Sequence, residues 1–179
     1  CVSESMEFTT AKTALRSEKD FVRAEEWIKK AIKADTLDAM APYVYATEIL
    51  KQQKRYEEMA KMLDLASKRN PEQKLETPFM WEDRPVITIK EGVKAYKEQE
   101  WTSIYNSGID FYQNKNLDKA INYLETALLF LPEDGGTHGT LGALYLEKKN
   151  FNQAENILKK GIKLDPSNAS LLEISATYY

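Results

Sequence analysis

A chain of 179 residues with 42% hydrophobic and 30% charged residues has enough apolar side chains for the core of one ordinary domain or one short repeat array. Its 25 basic and 28 acidic residues nearly cancel, to a net charge of −3, so there is no basic pole to release counterions from a phosphate backbone and nucleic acid is set aside as a partner. With 7 Gly and 6 Pro the composition is neither fibrous nor disordered, and no apolar run reaches the roughly 20 residues that span a bilayer.

The single cysteine is residue 1, so no intramolecular disulfide can form. Cys1 is followed by the small polar stretch Val2, Ser3, Glu4, Ser5, a pattern that resembles the start of mature bacterial lipoproteins. That resemblance implies a lipid on Cys1, a tether over residues 1–4 and attachment to membrane through the lipid only. The implied location is the bacterial cell envelope, on the periplasmic or surface side of an outer membrane, or the extracellular space.

The next segment, 5–73, reads as two helix pairs. Phe21, Ala24, Ile28 and Ala31 recur at helical spacing, and 35 residues later the same ladder returns as Tyr56, Met59, Leu63 and Ala66, closed by Pro71. Residues 74–100 break the period. There Pro78, Pro85 and the alternating Val86, Ile87, Thr88, Ile89 predict an extended excursion, with a helix resuming near Glu91 and running through Ala95, Tyr96 and Trp101. The excursion reads either as a packed connector or as a docking flap carrying Trp81.

Residues 101–168 hold two further copies in register. Gly108 pairs with Gly142, Phe111 with Tyr145, Asn116 with Asn150, Leu117 with Phe151, Ala120 with Ala154, Leu124 with Leu158, Ala127 with Gly161 and Pro132 with Pro166, every pair 34 residues apart. Small residues at 108, 120, 142 and 154 predict close approach of two helix axes, and each proline stops a helix because it lacks the amide proton. Residues 169–179 repeat the start of a copy and break off after one helix. Leu171, Leu172, Ile174, Tyr178 and Tyr179 leave Glu173 as the only charge there, so an apolar end is expected to be exposed unless further residues, a partner, or the first repeat of another copy stacked head-to-tail covers it.

On these residues the chain resembles the tetratricopeptide-repeat family, whose 34-residue unit carries Leu-Gly, an aromatic, an Ala, a second large apolar residue, an Ala and a closing Pro. The fourth copy fits best, departing at His138, where Trp is usual, and at Gly161, where Ala is usual. The resemblance implies an all-α, right-handed superhelical solenoid of antiparallel helix pairs with a concave groove for a protein or peptide partner. Carried over position by position, the groove comprises Thr9, Thr13 and Arg16, then Val44, Glu48 and Lys51, then Tyr105, Ile109 and Tyr112, then Gly139, Ala143 and Leu146. This face turns from polar to aromatic and apolar along the chain, which suits an extended peptide or an amphipathic helix.

Residues for catalysis are scarce. His138 is the only histidine and falls on a position that faces a partner helix, so a structural role is expected; one His and one Cys cannot build a metal shell. The chain is therefore expected to be a non-enzymatic scaffold without cofactor or metal, tethered through Cys1. The alternative is a self-assembling subunit of a surface filament.

Overall fold

The computed structural model describes residues 4–178, with the Thr177 and Tyr178 side chains left aside; Cys1 and Tyr179, on which the lipid and part of the self-assembly expectations rest, lie outside the described residues. The fold is mostly helical and forms two compact units, one up to Tyr96 and one from Lys97. In the first unit α1 (Met6–Lys12) runs on into a π turn at Thr13–Glu18 and packs on α2 (Phe21–Ala34). Next, α3 (Met40–Val44) continues through a second π turn (Tyr45–Leu50) and packs on α4 (Tyr56–Arg69). In the second unit, α5 (Ile89–Gln113) enters at Lys97 and is followed by α6 (Leu117–Ala127), α7 (Gly135–Glu147), α8 (Phe151–Leu164) and α9 (Ala169–Tyr178).

The sequence ladder is the core. Ala24, Ile28 and Ala31 on α2, Met59, Leu63 and Ala66 on α4, Ala120, Leu124 and Ala127 on α6, and Ala154, Leu158 and Gly161 on α8 are all buried. Glycine at 108 and 142 makes the pairing possible. A β-carbon on Gly142 would stand 2.6 Å from Leu158 Cγ, and one on Gly108 would stand 3.0 Å from Leu124 Cγ.

The turn inside each pair repeats too. Lys19, Lys54, Lys115 and Lys149 all adopt left-handed backbone, with φ between 54 and 59°. Around the last three, the amide after the lysine donates to a carbonyl five residues back (Arg55 to Leu50, Asn116 to Phe111, Asn150 to Tyr145), while the lysine's own amide donates to the carbonyl three residues back. This is a Schellman ending in which lysine occupies the position glycine favours. The following helix then starts on a side-chain cap: Asp20, Asn116 and Asn150 accept from the amide three residues on.

The extended excursion expected within residues 74–100 is a β-hairpin set in an otherwise helical fold. Strand β1 (Lys74–Trp81) pairs antiparallel with β2 (Arg84–Thr88), Phe79 opposite Val86 and Trp81 opposite Arg84, and the register breaks between Lys74 and Phe79. Glu82 and Asp83 form its two-residue turn with φ of 47 and 59°, the sign pattern of a type I′ turn. Leu75 and Val86 are buried, and Phe79 meets Tyr96 edge-on at 5.9 Å. Ile89, expected at the end of the extended run, is instead the first residue of α5. Thr88 and Glu91 form a capping box: the Glu91 carboxylate accepts from the Thr88 amide at 2.9 Å, and Thr88 Oγ1 accepts from the Glu91 amide at 3.4 Å.

Candidate protein-interaction faces

In the second unit the groove positions form an aromatic row along α5. Tyr105 stacks on Trp101, ring centroids 5.2 Å apart and planes 23° from parallel. Both rings are tied to α7: Trp101 Nε1 donates to Thr137 Oγ1 at 3.1 Å, and the Tyr105 hydroxyl lies 3.3 Å from Thr140 Oγ1. Tyr105 also packs against the core of Ala120, Ile121, Leu124, Leu141 and Leu144, so one edge of the ring is structural. Tyr112 is 41% exposed, and Ile109, Ala143 and Leu146 are half-buried. Trp101 and the two threonines were not among the groove residues read from the sequence. The signal was present, since Trp101 stands one helical turn before Tyr105.

Gly139 is not open. Leu171 and Ile174 of α9 stand 3.6 to 3.7 Å from where its β-carbon would be. The same contact corrects the reading of the last helix: Leu171 is fully buried inside its own unit, because Gly139 and Gly161 leave room for it, and Leu172, at 43% exposure, stays at the surface. His138 is fully buried, with Nδ1 2.8 Å from the Asp134 carbonyl and no partner for Nε2.

In the first unit several of the groove side chains are engaged by other parts of the chain. The Arg16 guanidinium holds Glu48 at 2.6 Å and Glu76 of β1 at 3.1 Å, and Lys12 Nζ holds Glu4 at 2.6 Å and Glu76 at 2.5 Å. Burial pushes the Glu76 carboxyl up, but hydrogen bonds from Lys12 and Arg16 outweigh it and hold the group below the usual glutamate value. Lys51 Nζ lies 5.0 Å from the centroid of the Tyr96 ring, which meets Tyr43 edge-on. Thr9 and Thr13 are exposed, their hydroxyls bonded to carbonyls of α1 and its approach. Val44 does not line a face at all: only 3% exposed, it belongs to an almost continuous buried run from Met40 to Leu50. Beside Glu76 a cleft of about 390 Å³ is lined by Phe8, Leu37, Asp38, Met40 and Gln73 among others.

Among the described residues no three His, Cys, Asp or Glu side chains converge as metal ligands, and no helix is long and apolar enough to cross a membrane. With four helix pairs sharing one buried ladder, the family model of the tetratricopeptide repeat matches residues 111–176. Residues 111–176 carry tetratricopeptide repeats. It is similar to the cattle (Bos taurus) BBSome complex member BBS4, with 27% identity over 96 residues, which are 54% of this chain and 18% of that protein. Solved structures similar to this chain include the APC/C hetero-tetramer Cut9–Hcn1 (13% identity, 96% of this chain and 29% of that one, TM-score 0.44). They also include YrrB, described as a tetratricopeptide-repeat protein with an unusual peptide-binding site (16% identity, 97% and 92% covered, TM-score 0.42). The chain thus spans less than a third of the length of both BBS4 and the Cut9–Hcn1 chain.

Proposed function

We propose that this repeat chain is a protein-interaction scaffold that binds a segment of a partner protein on the aromatic face of its second unit. The observation that carries this reading is the stacked pair Trp101–Tyr105, held by hydrogen bonds to Thr137 and Thr140 of α7 and continued along the same helix to the exposed Tyr112. Aromatic rings held in fixed orientation give a partner large contact area with little side-chain entropy left to lose, and their hydroxyls satisfy polar groups at the edge of the contact. Catalysis has no comparable support: the one histidine is buried and bonded to a helix-capping carbonyl.

The test compares proteins retained from native extract by wild type with those retained by Tyr105→Ala and Tyr112→Ala. Each substitution is expected to weaken a bound partner by more than about 1 kcal/mol while helicity by circular dichroism stays unchanged. An identical set of partners at unchanged affinity overturns the assignment.

A further inference from the structure

The second unit keeps its cations off the helices that carry the aromatic row. Past Lys97, the helices that begin each repeat (α5, α7 and α9) hold Glu98, Glu100, Asp110, Glu147 and Glu173 and no Lys or Arg, while the remaining lysines of the unit lie in the turns or on α6 and α8. In the first unit the equivalent positions mix both signs, with Arg16, Glu48 and Lys51. The three helices of the second unit form one layer, because Trp101 and Tyr105 of α5 are tied to α7, and Leu171 and Ile174 of α9 lie against Gly139 of α7. A layer bearing one sign of charge attracts the opposite sign from a distance.

One of these carboxylates stands beside an open ring. Trp101 meets Thr137, 36 residues on, and Tyr105 meets Thr140, 35 residues on, so α5 and α7 run side by side in the same direction. At the offset of the second pair, Tyr112 comes level with Glu147. Both residues are exposed, and among the described residues Glu147 makes no ion pair. Lys148, the next residue along, is turned instead to Asp118 of α6. An aromatic ring and a carboxylate at one height suit a guanidinium, which stacks on the ring and donates to the oxygens.

We propose that the aromatic face of the second unit selects a basic, extended segment of its partner, with an arginine of that segment seated between the Tyr112 ring and the Glu147 carboxylate. Apolar residues of the same segment lie on the stacked rings of Trp101 and Tyr105, and the acid-only layer around them draws the cations in. This inference rests on the reading of that face as a binding surface and adds the chemistry of what binds: charge, as well as aromatic contact, chooses the partner.

The probes are three acetylated, amidated octapeptides in which alanine alternates with arginine, glutamine or glutamate, each titrated calorimetrically into the full chain. The arginine peptide is expected to bind roughly tenfold more tightly than the glutamine peptide, the glutamate peptide to give no measurable heat, and the advantage of arginine to shrink as salt is raised. These readouts use wild type and stand even if a variant folds poorly. Glu147→Gln is expected to weaken the arginine peptide at least threefold or so and to leave the glutamine peptide unchanged. Glu155→Gln on α8 makes the same change in net charge and is expected to alter neither. Equal affinity for the arginine and glutamine peptides, no binding of the arginine peptide even at millimolar concentration, or equal losses in Glu147→Gln and Glu155→Gln overturns the proposal. Where the two peptides bind equally and Tyr112→Ala weakens both, the charge preference falls and the aromatic face stands; where Tyr105→Ala and Tyr112→Ala change no peptide, the face falls with it.

Discussion

Gly161 lies against His138 so closely that a β-carbon at 161 would stand 2.7 Å from His138 Cβ and 2.9 Å from Leu171 Cδ2. The two departures from the usual repeat pattern are therefore one packing solution: at position 161 only glycine lets the histidine helix and α9 come this near. Gly161→Ala is expected to destabilise by about 1–3 kcal/mol through overpacking, lowering the melting temperature by some degrees. Gly136→Ala is the control. The nearest atom to its added carbon is Asp134 Oδ1 at 3.5 Å, and alanine in that exposed helical position is expected to stabilise by about 0.4–1 kcal/mol. Melting curves of the two variants shifting in the same direction would contradict the packing argument.

The left-handed lysines predict gains. A non-glycine residue in that conformation costs roughly 1–2 kcal/mol, and Lys149 at φ 59° closes α7 where glycine is the favoured residue. After allowing for glycine's greater freedom in the unfolded chain, Lys149→Gly is expected to raise stability by up to about 1 kcal/mol. The same change at Lys115 should do likewise, and the two should add, since the sites share no partner. Urea midpoints of the single and double variants decide this.

Stability of the first unit depends on pH through Glu25. Its carboxylate accepts from Lys29 Nζ at 2.5 Å, the Tyr45 hydroxyl at 2.7 Å and Arg55 at 2.8 Å. Burial pushes the group up, but these donors prevail and bring it from 4.5 down to about 2. The folded state thus binds this proton more weakly than the unfolded state, so the contribution is complete above the ordinary glutamate value and is lost as pH falls from 4.5 toward about 2. Glu25→Gln is expected to lower the urea midpoint at neutral pH, with the gap to wild type narrowing below about pH 4. A gap that stays constant into acid would show that charge plays no part.

The hairpin turn places two charged residues, Glu82 and Asp83, at positive φ. Replacing the pair by Asn-Gly, the sequence this turn favours, is expected to slow amide exchange across β1 and β2 without altering the helices. Unchanged exchange would mean that packing on Tyr96 and the buried Leu75 and Val86, and not the turn, limits opening of the hairpin.

Helix pairing was legible in the sequence because close packing imposes spacing. Ala24, Met59, Ala120 and Ala154 sit where α2, α4, α6 and α8 bury their ladders, and an interior at native density tolerates only certain sizes at such positions. The α5 capping box was also there to be read, as Thr88 and Glu91 three residues apart. Which faces remain open was decided only by tertiary structure. Local periodicity places Val44 and Tyr105 at the same position of their helices, yet one is sunk in a run buried from both sides and the other borders a face. Nothing local tells Leu171 from Leu172; the missing side chains of Gly139 and Gly161, on two other helices, admit the first and leave the second outside. Glu76 meets Lys12 across 64 residues because a strand happens to cross there, and no spacing rule along the chain encodes a crossing.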